Sequence, residues 1–121
     1  MSDSAADRTP TPVDAIAEQW VATLVELSPD TATYIGAEGR LDEYQDFSPA
    51  GRARYEEAAR ATLAQLAAAT PVDDTDRVTI TDLSAELSLD LELAQAGWDQ
   101  RDINVLASPA QGIREIFDLM P

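Results

Sequence analysis

Three carboxylates on one predicted helix are spaced in a way that could form a chemical site. Asp82, Glu86 and Asp90 are four residues apart, so a helix places them in a row along one edge. Such a row could hold a cation or supply a general acid and a general base. One helix edge supplies too few converging oxygens for calcium, and we favour a row that is solvated or paired with arginines. The candidate partners are Arg52, Arg54, Arg60 and Arg77.

A second acidic group resembles the start of a calcium-binding loop. The run Asp73-Asp74-Thr75-Asp76 has closely spaced oxygen ligands. A loop of the EF-hand type also needs glycine at its sixth position and glutamate at its twelfth. Both residues are missing whether the loop is counted from Asp73 or from Asp74. We therefore exclude a calcium loop at this position.

The residue types that are absent limit the chemistry further. The chain contains no histidine, no cysteine and no lysine. Zinc sites are built largely from imidazole and thiolate ligands, and nucleophilic triads need an imidazole base or a thiol nucleophile. We predict no catalytic, cofactor-binding or metal-binding residue in this chain. Carboxylates alone can hydrolyse glycosides, but no pair of them stands out in the sequence.

Length and charge narrow the class of protein. The chain has 121 residues, of which 45% are hydrophobic, enough for one compact domain or part of one. Its formal net charge is −15, which disfavours nucleic acid and anionic membranes as partners. No apolar run reaches the roughly 18 residues of a membrane span, and no leader peptide is apparent. We expect a cytoplasmic protein with a solvated acidic surface.

Five Ser/Thr-Pro dipeptides divide the chain into helices. A hydroxyl caps a helix and proline suits the first helical position, so four of the dipeptides predict helix starts. Thr70-Pro71 instead ends a helix, because the residue before proline avoids helical geometry. The predicted helices are 12–27, 29–35 closed by Gly36, 49–69, 75–96 stopped by Gly97, and 109–119.

These elements predict an all-α protein. We expect an antiparallel helical bundle of about four to five helices with a long central helix, forming part of a larger helical fold. Residues 1–11 are predicted to be a disordered tail. Residues 12–121 are predicted to form an incomplete, N-terminal portion of a larger helical domain.

The long fourth helix carries two apolar faces. One face, which suits a core, contains Ile80, Leu83, Leu87, Leu91 and Ala94. The nearly opposite face contains Ala85, Leu89, Leu93 and Ala96. A second apolar face suggests a further layer of structure packed on this helix, although scattered surface leucines are also common.

The turn after this helix contains an aromatic ring among charged residues. In Trp98-Asp99-Gln100-Arg101-Asp102, we expect Trp98 to pack against the helix end and Arg101 to pair with an aspartate. Contact of this turn with a ligand is the alternative.

Several short segments in a fixed order resemble a known bacterial family. They are Leu27-Ser28-Pro29-Asp30-Thr31-Ala32-Thr33 with Gly36, Leu41-Asp42, Phe47-Ser48-Pro49-Ala50-Gly51-Arg52-Ala53-Arg54, Asp76-Arg77-Val78, Asp82-Leu83 and Ala85-Glu86-Leu87. This series resembles the N-terminal part of Domain of Unknown Function 885. One departure is the lack of the tyrosine that is usual near Ile80.

The resemblance implies a longer, largely helical protein of the zinc-dependent peptidase type. Its members carry an H-E-x-x-H helix far downstream, in which two histidines bind zinc and the glutamate activates water. This chain has none of those residues, so zinc is implied only for the longer protein. The chain is expected to be a fragment, with helices that flank or wall the substrate cleft.

Two functions are therefore expected. The first is a non-catalytic N-terminal helical segment of a metal-dependent peptidase-like bacterial protein. The alternative is a freestanding acidic helical protein-interaction module. The expected partner is the remainder of a longer chain, or a helical protein, bound through the Leu89/Leu93 face. Neither nucleic acid nor membrane is expected as a partner.

Overall fold

The protein is built from five α-helices. The computed structural model describes residues 8–120, and no strand occurs in that part of the chain. The helices are α1 (Pro12–Leu27), α2 (Pro29–Ile35), α3 (Pro49–Ala68), α4 (Asp74–Gln95) and α5 (Pro109–Leu119). The predicted all-α bundle is confirmed, and every predicted helix boundary agrees to within one residue.

The helix ends form where the sequence places capping residues. The Thr11 and Ser48 hydroxyls accept hydrogen bonds from backbone amides in the first turns of α1 and α3, both at 3.2 Å. Proline occupies the first position of four helices, where its missing N–H leaves no partner unsatisfied. Gly36 and Gly97 both adopt a φ of 70°, the left-handed conformation that ends a helix.

The core lies between α1, α3 and α4. Trp20, Ala59 and Leu87, one from each helix, form its buried centre. The small side chain of Ala59 permits close approach of the helices, and the Trp20 and Tyr55 rings meet edge to face with centroids 5.7 Å apart. Helices α3 and α4 are joined by a short connection and run antiparallel. These three helices therefore form a small packed bundle.

The two apolar faces of α4 differ in their surroundings. Leu87 is buried, and Leu83 and Leu91 pack against the core beside it. On the other face, half of Leu89 and about a third of Leu93 remain exposed (50% and 36%). The prediction that one face enters the core is confirmed. The second face has no covering layer within residues 8–120.

Helices α2 and α5 lie at the edge of this bundle. Helix α2 packs against α1 and α5. Among the helices in residues 8–120, α2 is the only one that α5 packs against. The loop before α3 also holds α5, because the Tyr44 hydroxyl donates a hydrogen bond to the Ile113 carbonyl oxygen at 3.0 Å. This arrangement leaves a groove between α5 and the α3/α4 pair.

The N-terminal segment is described in part. Within the predicted tail 1–11, residues 1–7 lie outside the described residues, whereas Arg8 and Thr11 make specific contacts that are given below. The division into a tail and a helical domain stays a prediction. No helix in residues 8–120 is both long and apolar enough to cross a membrane.

Candidate functional site

An open groove of about 730 Å³ lies where α3 begins and α4 ends. Its walls are the end of α1, the loop before α3, the first two turns of α3, the last two turns of α4 with the segment that follows, and the start of α5. Leucine, tryptophan, phenylalanine and isoleucine side chains line it, namely Leu93, Trp98, Phe47 and Ile113. A cavity of about 360 Å³ next to it shares Phe47 and Ile113.

Trp98 is exposed over this groove, and the prediction that it packs against the helix end is wrong. The ring is 64% exposed. The cause is the helix C-terminus: Gly97 turns left-handed, and the Trp98 amide donates to the Leu93 carbonyl oxygen at 3.0 Å. This is the Schellman arrangement, and it directs the chain away from α4. Trp98 consequently lines the groove.

The predicted ion pair of Arg101 with an aspartate does not form within residues 8–120. Among residues 8–120, Arg101 makes no salt bridge, and Asp99 from the same turn pairs with Arg52 of α3 at 2.8 Å. The turn brings Asp99 toward the first turn of α3, where Arg52 lies. The end of α4 is therefore tied to α3 by Asp99.

The carboxylate row on α4 is divided between solvent and the groove. Asp82 and Glu86 are exposed, whereas Asp90 lies in the groove wall and accepts a hydrogen bond from the Tyr55 hydroxyl. Burial of Tyr55, together with its bond to Asp90, raises the pKa of this phenol well above its usual value. The row therefore supplies one carboxylate, Asp90, to the groove.

The arginines predicted to pair with this row have other partners. Each arginine pairs with a carboxylate outside the row. That carboxylate lies in the same helix, in the loop before α3, or in the turn after α4. The pairs are Arg52–Asp99, Arg54–Asp46, Arg60–Glu56 and Arg77–Asp74. The solvated alternative describes Asp82 and Glu86 correctly. The predicted arginine pairing does not hold in residues 8–120.

The opposite end of α4 contains a cluster centred on Arg8. Its guanidinium contacts Asp14, Asp73 and Asp76, each at 2.6 Å. Arg8 holds the pKa of Asp14 and of Asp73 below the ordinary carboxylate value, chiefly through these hydrogen bonds. The pKa of Arg8 is raised in turn, mainly by Asp73 and Asp14. Arg8 thus neutralises part of a locally dense negative charge.

Asp76 is the fully buried member of this Arg8 cluster. Its side chain has no exposed surface. Besides the Arg8 bond, its carboxylate accepts hydrogen bonds from the Thr11 hydroxyl at 2.7 Å and from the Val72 amide at 2.8 Å. The acidic run 73–76 therefore fixes the start of α1 to the start of α4. The sequence did not predict this contact, since we considered the acidic run only as a calcium loop.

The residues of this chain do not fit a zinc ion. The sequence has no imidazole or thiolate, and in residues 8–120 no three or more carboxylates are arranged to hold a metal. The carboxylates that converge on Arg8 already surround a guanidinium. The chain's own residues can bind through apolar contact and through carboxylate charge.

Comparison with known proteins identifies the family. The family model described as "Bacterial protein of unknown function (DUF885)" matches residues 29–121, most of the chain. The chain belongs to the DUF885 family. The match confirms the resemblance to the N-terminal part of such a protein. Within this DUF885 chain the matched part contains α2 to α5 and all of the groove lining except Leu27 and Ser28, whereas α1 precedes it. No curated protein matches the chain.

Proposed function

We propose that this chain is a non-catalytic helical segment of a larger, metal-dependent peptidase-like bacterial protein. Its role is to dock against the rest of that protein through the exposed face of α4 and the adjoining groove. The observation that carries this proposal is the set of exposed apolar side chains on the second face of α4 and in the turn after it. Its members are Leu89, Leu93 and Trp98.

The extent of the exposed apolar surface supports docking. Beyond Trp98, three large aliphatic side chains are almost fully exposed: Ile103 at 90%, Val105 at 87% and Leu106 at 83%. Single exposed apolar residues are ordinary, but four large exposed apolar side chains within residues 98–106 are more than isolated cases, and concentrated exposed apolar surface is typical of interaction sites. The absence of histidine and cysteine from the sequence assigns any zinc chemistry to residues elsewhere in the larger protein.

The DNA that follows the Pro121 codon tests this proposal directly. We expect an in-frame continuation that encodes further helices and an H-E-x-x-H motif. A stop codon with no such sequence nearby would overturn it. This outcome does not depend on how the chain behaves in solution.

The alternative is a freestanding acidic helical module, and the closed core favours it. Helices α1, α3 and α4 bury Trp20, Ala59 and Leu87 among themselves, and the Arg8 cluster joins two helix starts. Sedimentation and thermal unfolding of the purified chain test this alternative. A cooperative monomer supports a module, and an aggregating chain without a cooperative transition argues against it.

A further inference from the structure

We propose that the groove binds a basic amphipathic helix. Its apolar face would lie on Leu93, Trp98 and Phe47, and its arginine or lysine side chains would pair with Asp90 and Asp102. This inference rests on the proposed docking role and names the chemistry of the segment that docks.

The floor of the groove fits the apolar face of a helix. Phe47, Trp98 and Leu93 are 47%, 64% and 36% exposed, so each retains surface that a partner can cover. The groove volume of about 730 Å³ corresponds to about one to two turns of a helix about 10 Å wide. An amphipathic helix in an apolar groove is a common mode of peptide recognition.

The walls of the groove carry excess negative charge. Five carboxylates line it against one arginine, Arg52. Three of the five already pair with arginines, and these are Asp46, Glu56 and Asp99. The other two, Asp90 and Asp102, accept hydrogen bonds only from neutral groups among residues 8–120, the Tyr55 hydroxyl and the Asn104 amide. Two carboxylates are therefore left for cations of a partner.

The charge of the whole chain selects the same kind of partner. A second copy would bring another net charge of −15, and the two copies would repel each other. A basic helix is attracted to the same surface. Its cationic side chains can also approach the exposed ring of Trp98, a favourable contact for ammonium and guanidinium groups.

Two helical peptides that differ only in charge test the proposal. Both carry the same leucine face, and one has arginines and the other glutamates beside it. We expect the basic peptide to shift the fluorescence of Trp98 to shorter wavelength and to bind at least about tenfold more tightly. Raising the salt concentration should reduce this difference, because partly exposed ion pairs are screened.

Variants of the protein locate the binding. We expect the double variant D90N/D102N to weaken binding of the basic peptide by about tenfold, because each exposed pair contributes up to about fivefold. The control D82N/E86Q removes the same charge from exposed positions on α4 and should change binding by less than about twofold. Thermal unfolding of each variant checks that the fold is retained, and the peptide pair remains a test if a variant unfolds.

Each other outcome overturns a defined part of the argument. Equal binding of both peptides would overturn the proposed charge preference and leave docking intact. Equal weakening by the control would also overturn it, since attraction would then be general. Binding of arginine amide alone as tightly as the basic peptide would overturn the helical partner. Binding of neither peptide would overturn the inference, whereas the proposed function is tested separately by the downstream DNA.

Discussion

Carboxylates are crowded at both ends of α4, but they have different partners at the two ends. At the N-terminal end, Arg8 reaches from the chain before α1 to contact three aspartates, and Asp76 is fully buried. At the C-terminal end, Asp90 and Asp102 bond only to neutral groups among residues 8–120, and Trp98 beside them is exposed.

This difference separates a structural polar cluster from the proposed binding surface. Buried polar groups are tolerated where each donor has an acceptor, and the groups around Asp76 meet this condition. Charged and apolar groups that remain exposed together keep the capacity to bind a partner. In this chain the Arg8 cluster has its polar groups paired, whereas the groove keeps charged and apolar groups exposed together.

Among changes to the charged groups at the two ends of α4, the largest expected effect comes from Asp76→Ala. This change removes one of the three carboxylates that contact Arg8 and leaves the Val72 amide without its acceptor. It also removes the shorter hydrogen bond of the Thr11 hydroxyl, and we expect the free energy of unfolding to fall by about 2–4 kcal/mol. Urea unfolding measures it. The matched change Asp102→Ala at the other end should cost less than about 0.5 kcal/mol. Equal losses would remove the distinction between the two ends.

The acid dependence of stability should also come from the Arg8 end. Arg8 lowers the pKa of Asp14 and Asp73, so their contribution is complete above the ordinary carboxylate pKa of about 4. It is lost as the pH falls through the lowered values. We expect Arg8→Met to be less stable than wild type at neutral pH and to approach wild type in acid.

Unfolding curves measured across this acid range test the prediction, and Arg77→Met serves as the control. Arg77 lies at the same end of α4 but pairs with the exposed Asp74. A difference between wild type and Arg8→Met that stays constant with pH would contradict the prediction.

The local parts of this contrast could be read from the sequence. Ser-Pro and Thr-Pro pairs and two glycines fixed the helix ends, because caps and left-handed turns are decided by neighbouring residues. The apolar stripe of α4 identified Leu87 as a core residue. Helical periodicity also identified Leu89 and Leu93 as a second face.

The long-range parts could not be read from the sequence. Arg8 contacts Asp76 across 68 positions, and nothing local distinguishes that aspartate from its neighbours. Four arginines were expected beside the carboxylate row and pair elsewhere, because side-chain reach depends on how helices pack. Trp98 was placed wrongly because the direction of the chain after Gly97 decides its exposure.

A smaller effect is expected for Tyr55→Phe at the groove end. The change removes the bond to Asp90, and we expect a loss of about 0.5–1.5 kcal/mol. Ultraviolet titration should also lose one tyrosine that ionises above the usual range, because burial and Asp90 raise the pKa of Tyr55. The control Tyr34→Phe alters a ring that is 70% exposed. A lost high-pKa tyrosine in that control would contradict the assignment.

The smallest change in stability is expected for the double variant L89Q/L93Q. Both side chains lie on the uncovered face of α4, so the free energy of unfolding should change by less than about 0.5 kcal/mol per substitution. Binding of a hydrophobic dye should fall, because two exposed apolar side chains are replaced by polar ones. The control Leu87→Ala, two residues before Leu89 and on the core face of α4, should cost about 2–5 kcal/mol. A loss of that size in L89Q/L93Q would mean that this face already supports the fold, and the contrast between a closed end and an open end of α4 would fail.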